Sequence, residues 1–249
     1  MDRRRWLQEK REEAGGLHGL RLSEITPSRR DFALYVATQR QELALIARAQ
    51  RADPITDQTW SGRDLVAFAV ACDDAEVAAL SVATDSQRDG SLALLRSVAE
   101  ATTAPVLRDD LTLDPNQLYD ARLHGADAAI FPASELAADT LVELVHLASS
   151  LHMASVIEVQ RAGDLMKALA CGKALIGIDA DLDATLSLAN EVPSNRTVIA
   201  LRDLGTLAAV RRLRTHVDAV VVGPLLLNSD NLRDTVAAVN QITPRITTR

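Results

Sequence analysis

From about residue 43 onward, short aliphatic runs alternate with amphipathic stretches at intervals of about 25 residues. The runs are Leu43–Ala47, Val77–Val82, Ala104–Leu107, Ala126–Phe131, Ala154–Val159, Ala174–Ile178, Thr197–Leu201 and Val217–Val222. Each is short and mostly aliphatic, with weak alternation, as expected of parallel strands covered on both faces. The intervening stretches carry helical stripes: Leu92, Leu95 and Val98 in one, Leu141, Leu144, Val145 and Ala148 in another. Start signals are Ser61 before one helix, Asp114-Pro115 before a second and Ser229 before the last. Strand–helix pairs without a hairpin signal predict a parallel sheet. Because no strand lacks its following helix, a closed α/β barrel is favoured over an open doubly wound sheet. The expectation is a single (β/α)8 TIM barrel over 43–249. Residues 1–42, broken at Gly15-Gly16 and Pro27, are expected to form an N-terminal helical extension packed on it.

Composition narrows the partners. The chain has 249 residues, suiting one large domain, and 47% hydrophobic residues, enough for a sizeable core. With 27 basic and 34 acidic side chains, the net charge of −7 argues against a nucleic-acid surface. The run Arg3-Arg4-Arg5 is soon diluted by Glu9, Glu12 and Glu13 and reads as a solvated helix face. No apolar run reaches the ~20 residues of a membrane span. The first 25 residues lack the apolar core of a signal peptide, so a cytoplasmic location is expected. Cys72 and Cys171 stand far apart, outside any CxxC, and read as buried reduced thiols.

Several stretches resemble indole-3-glycerol phosphate synthase. Pro105-Val106-Leu107-Arg108-Asp109-Asp110, then Asp114-Pro115, Gln117-Leu118-Tyr119 and Ala121-Arg122, are similar to the family's Pro-Val-Leu-Arg-Lys-Asp-Phe, Asp-Pro-Tyr-Gln and Tyr-Glu-Ala-Arg. Gly125-Ala126-Asp127 continues the likeness. Ser81-Val82-Ala83-Thr84-Asp85 and Gly90-Ser91-Leu92 lie upstream; Ile157-Glu158-Val159 and Ile176-Gly177-Ile178 lie downstream. The resemblance covers roughly residues 40–235 and implies the barrel. It also implies a decarboxylating lyase of tryptophan biosynthesis, acting on a phosphorylated anthranilate-deoxyribulose without a cofactor.

That reaction needs a cation on the substrate carboxylate, an ammonium acid, a carboxylate base and a phosphate cradle. In such barrels these groups sit at the carboxyl ends of the strands. At strand one the family's Glu-Ile-Lys-Arg-x-Ser-Pro falls on Arg48-Ala49-Gln50-Arg51-Ala52-Asp53-Pro54. Arg51 is kept, but glutamate has become Arg48 and lysine has become Gln50. The strand-three lysine falls on Asp109, a carboxylate that is normally ionised and cannot deliver the proton. The acid/base glutamate is retained as Glu158. At strand six, Asp179-Ala180 replaces Asn-Asn-Arg, with a loop shortened by about eight residues. Arg202-Asp203 falls on the strand-seven Glu-Ser-Gly, and Gly223 survives at strand eight before Pro224-Leu225. Pro224 removes an amide donor and Asp203 adds charge where phosphate would sit.

Three functional readings follow. The first is a pseudoenzyme, a binding or interaction module without synthase activity, whose partner is a small ligand or another protein. The second is an enzyme repurposed for a small anionic substrate, with Glu158 as base and Arg48 or Arg51 as anchor; Arg202 and Gly223 are further binding candidates. Residual synthase activity is a third. Arg48, Asp109 and Glu158 are expected in one barrel mouth, either as a substituted site or as an internal ion pair. Asp109, Glu158 and Asp179 offer oxygen ligands, but no His joins them and Arg48 opposes a cation, so no metal is expected. His18, His124, His146, His152 and His216 fall on helices or connections, and Asn195-Arg196-Thr197 matches a glycosylation pattern without a role in a cytosolic chain. Trp60 reads as packing near the mouth, ahead of ligand stacking.

Overall fold

In the computed structural model, which describes residues 3–16, 25–38, 43–203 and 205–242, the eight aliphatic runs close into a ring. The strands are β1 (Ala44–Ala49), β2 (Ala79–Ala83), β3 (Val106–Leu111), β4 (Ala128–Pro132), β5 (Ala154–Val159), β6 (Leu175–Ile178), β7 (Val198–Ala200) and β8 (Ala219–Val222). Every neighbouring pair is parallel, and β1 closes on β8 with Ala44 opposite Ala219. This is a (β/α)8 TIM barrel. A two-stranded antiparallel ribbon, Ala52–Asp53 with Gln58–Thr59, follows β1. It is a hairpin that the aliphatic pattern did not announce, because both its strands are short and polar.

Helices α1 (Arg3–Gly16) and α2 (Phe32–Thr38) precede the barrel. The helices outside it are α3 (Leu65–Asp74), α4 (Leu92–Ala101), α5 (Pro115–Leu123), α6 (Ala138–Ser150), α7 (Ala162–Ala170), α8 (Leu182–Glu191), α9 (Leu207–Leu213), α10 (Pro224–Leu227) and α11 (Leu232–Asn240). Asp114 caps α5, with Pro115 in its first turn. Two expected caps are corrected. Asp64, not Ser61, caps α3 by accepting from the amides of Val66 and Ala67. Asn231, not Ser229, caps α11, because α10 takes up the residues before it. His18 lies outside the described residues.

Period-two alternation divides the strand side chains between two cores. Leu45, Leu80, Val82, Val106 and Ile157 pack outward with the helices. Ile46, Leu107, Ile130, Val156, Ile199 and Val221 fill the barrel interior. The same alternation carries β1 from Ile46 to Arg48 and Gln50, β3 from Leu107 to Asp109, and β5 from Val156 to Glu158. Each inward row thus turns polar at its carboxyl end.

The amino-terminal segments bracket the barrel. At the amino ends of the strands, Arg30 pairs with Asp127 at 2.7 Å and donates to the carbonyls of Ala99, Thr102 and Gly125. Asp127 also accepts from Ser28 Oγ at 2.5 Å. At the carboxyl ends, α1 lays Trp6 and Lys10 on Asp110, at 3.0 and 2.5 Å. Among the described residues no helix is long and apolar enough to cross a membrane.

Gly90 has a reason for its place in the Gly-Ser-Leu stretch. A Cβ there would stand 2.3 Å from the backbone oxygen of Ala83, which cannot move without breaking β2. Gly90→Ala is therefore expected to destabilise the fold by about 1–3 kcal/mol in urea denaturation. Gly62→Ala, where a Cβ meets nothing within 4 Å, is expected to stay within about 0.5 kcal/mol of the parent.

Candidate functional site

The carboxyl ends of the strands open into a cavity of about 870 Å³, within the range of small-molecule sites. Arg48, Gln50, Asp109, Glu158, Asp179, Arg202 and Asp203 all line it, so the structure brings together most residues singled out from sequence. Arg51 does not line it. The Arg51 Nη1 instead donates to the carbonyl of Arg63 at 3.3 Å, bracing the loop before α3. Gly223 contributes a backbone amide to the wall rather than a lining surface. Trp60 bonds Asn228 at 2.8 Å and packs on the outer core.

Asp109 is the centre of the site. Its Oδ2 accepts from Arg48 Nε and Ser81 Oγ, both at 2.6 Å, and its Oδ1 accepts from Arg88 Nη1 at 2.8 Å. Arg88 also pairs with Asp85 at 2.5 Å, and Arg48 donates to the carbonyl of Leu201 at 2.8 Å. Burial alone would push the Asp109 carboxyl up. The two guanidinium groups and the serine overrule it and hold the group well below the usual carboxylate range. Asp109 is thus a fixed anion.

Glu158, across the barrel, shows the opposite balance. Its Oε1 accepts from Arg3 Nη2 at 2.6 Å. Burial nonetheless dominates; Arg3 opposes it, while the charges of Asp179 and Asp109 add to it, and the carboxyl is pushed up to about 7. Beside it, Asp179 is held by Arg202 at 3.1 Å and Gln160 at 3.0 Å. The carboxylates proposed as oxygen ligands each therefore hold an internal cation. No three His, Cys, Asp or Glu side chains converge as a cation cage among the described residues.

The side expected to cradle phosphate is filled from within. Asp203 accepts from the amide of Gly223 through Oδ2 and from that of Gly205 through Oδ1, the latter at 2.7 Å. Burial raises its carboxyl, against the pull of those two amides and of Arg48. A Cβ on Gly223 would stand 3.3 Å from both Arg48 Cβ and Asp203 Oδ2, so a larger residue there would push these side chains back by a few tenths of an ångström.

Sequence reasoning missed Arg88, Ser81 and the whole inner face of α1. Asp85 and Arg88 stand three residues apart directly after β2, a spacing that signals a local pair. Arg3, Trp6, Lys10 and Glu13 fall at helical spacing on one face, and that face engages the side chains around the mouth. The arginine run is consequently not a uniformly solvated face. Arg5 is 75% exposed, whereas Arg3, at 25%, reaches Glu158. Among the described residues no histidine lines the cavity. Both thiols are buried, and desolvation pushes Cys72 up to about 12.

Comparison with known proteins agrees with this architecture. The indole-3-glycerol phosphate synthase family model matches residues 1–239. The indole-3-glycerol phosphate synthase of Rhodopirellula baltica is 33% identical over 216 residues, 83% of each chain. That of Mycobacteroides abscessus is 33% identical over 81% of this chain and 78% of its own. Among solved structures, tryptophan synthase from M. tuberculosis superposes with a TM-score of 0.61 at 15% identity, covering 86% of this chain and 99% of that one. A 3-hexulose-6-phosphate synthase superposes at 0.62 with 14% identity, over 80% and 99%. These structural likenesses carry the fold alone. With a whole-chain family match and relatives one-third identical, the chain belongs to the indole-3-glycerol phosphate synthase family.

Proposed function

We propose that this family member keeps the barrel and its mouth as a ligand-binding or interaction module and does not close the indole ring. One observation carries the reading: the position matching the family's proton-donating lysine is Asp109, locked among Arg48, Arg88 and Ser81 at 2.6–2.8 Å. General acid catalysis needs a group whose proton can be given up near neutral pH. A carboxylate buried between two guanidinium groups has no such proton. Arg48 and Arg88 are consumed by it, so neither is left to hold the substrate carboxylate. Asp203 occupies the amides that a phosphate would use.

The same facts weigh against a repurposed enzyme for a small anion anchored on Arg48 or Arg51. The first is neutralised by Asp109 and the second braces a loop outside the cavity. Glu158 could serve as a base by its titration range, but it is tied to Arg3. Two buried free cysteines suit a reducing, cytoplasmic setting.

Incubation with the anthranilate-deoxyribulose phosphate precursor is expected to give no indole glycerol phosphate above the no-protein control, with product separated from protein and read by chromatography. Turnover abolished by Glu158→Gln would overturn the reading. Stability provides a second expectation. The Glu158 carboxyl titrates near 7 when folded against 4.5 ordinarily, so the folded chain holds the extra proton between those values. This contribution is therefore full below that window and is lost as pH rises through it, a loss of about 3 kcal/mol. Glu158→Gln mimics the protonated acid. It is expected to raise Tm at pH 8 and to match the parent at pH 4.5, read by calorimetry across the range.

A further inference from the structure

We propose that the β7–β8–β1 sector of the barrel mouth binds the ammonium end of a small organic amine whose apolar body lies on the barrel floor. The inference rests on the non-catalytic reading above and names the ligand class for the same cavity.

Charge selects the cation. Among the arginines lining the cavity, Arg48 and Arg88 are spent on Asp109, and Arg202 on Asp179. Asp53, Asp203, Asp230 and Asp234 line it too, and among the described residues none lies within ion-pair distance of a Lys or Arg. These four follow β1, β7 and β8, so carboxylates without an ion-pair partner are concentrated on one side, with Asp203 among them feeling the charge of Arg48. Burial raises the Asp203 carboxyl most, and the nearby charge of Asp53 adds to it, against the pull of Arg48 and two amides. Such a field attracts a cation and repels carboxylates and phosphates.

Gln50 supplies an observation independent of charge. It is 2% exposed, lines the cavity from the end of β1, and its side-chain amide has no hydrogen-bond partner among the described residues. Its polar atoms are reached from the cavity alone, so whatever occupies the cavity must satisfy them. An ammonium N–H donates to its oxygen and to a neighbouring carboxylate at once. The rest of the wall is apolar: Leu111, Ile130, Leu201, Leu225 and Ile55, with the Trp6 ring above. A metal ion does not answer to that lining, since no three ligating side chains converge among the described residues. An amine with a hydrocarbon or aryl body answers to both the charge and the wall.

The probe is 2-phenylethylamine, titrated calorimetrically into the full chain at low salt, with 3-phenylpropionate and 2-phenylethanol as anionic and neutral counterparts. Expected is saturable binding of the amine at least tenfold tighter than either counterpart. Asp53→Asn is expected to weaken it at least threefold, as is Gln50→Leu; both variants leave the Asp109 and Glu158 pairs intact. Equal or tighter binding of 3-phenylpropionate overturns the inference. So does absence of amine binding, or amine binding indifferent to both substitutions while each variant unfolds cooperatively. Turnover of the deoxyribulose precursor sinks the non-catalytic reading, whereas failure of the amine without turnover sinks this inference alone.

Discussion

The buried ion triad of Asp109 with Arg48 and Arg88 is the constraint from which the rest of the mouth follows. Three charged groups are withdrawn from water at the centre of the barrel, and each is tolerable only because the others are there. Removing one partner of such a set costs roughly 3–5 kcal/mol, because the remaining charge is left uncompensated. Arg48 on β1 and Asp109 on β3 are therefore one physical unit. An arginine at position 48 requires an anion opposite, and Asp109 is that anion. Arg88, drawn in from the loop after β2, completes the charge balance and ties the loop to the strand.

Around this centre the other carboxylates sort by what holds them. Asp110 has Arg108 and Lys10, which outweigh its burial and keep it ionised. Asp179 has Arg202. Glu158 has Arg3 alone, and there burial wins. The asymmetry explains how one cavity can contain both a permanently charged carboxylate and one that titrates near neutrality. It also explains why α1 belongs to the site: Arg3, Trp6 and Lys10 each engage a carboxylate in the mouth, and Glu13 engages Arg108 beneath it.

Much of this was legible in the chain. The aliphatic runs marked every barrel strand to within a few residues, because strands buried on both faces leave a dense apolar signature. The inward direction of Arg48, Asp109 and Glu158 follows from counting by two along each strand from Ile46, Leu107 and Val156. What escaped notice depended on contacts between distant segments. Arg51, expected as a substrate anchor, serves a loop, since residue type says nothing of which carbonyl a guanidinium reaches. Ser61 and Ser229 have the chemistry of caps, but Asp64 and Asn231 stand closer to the first turns. Asp203 was readable as a misplaced charge. That it takes the amides of Gly223 and Gly205 for itself needed the fold of two loops brought together.

The placement of Trp6 has an optical consequence. Its indole N–H is fixed to Asp110, the Arg88 guanidinium lies 5.7 Å from its ring centroid, and the ring borders the open cavity. The other tryptophan, Trp60, sits outside the lining and is bonded to Asn228. Any molecule that dries the mouth alters the dielectric directly around the Trp6 indole. Emission from this chain is thus wired to the state of its barrel, and occupancy can be followed without attaching a dye.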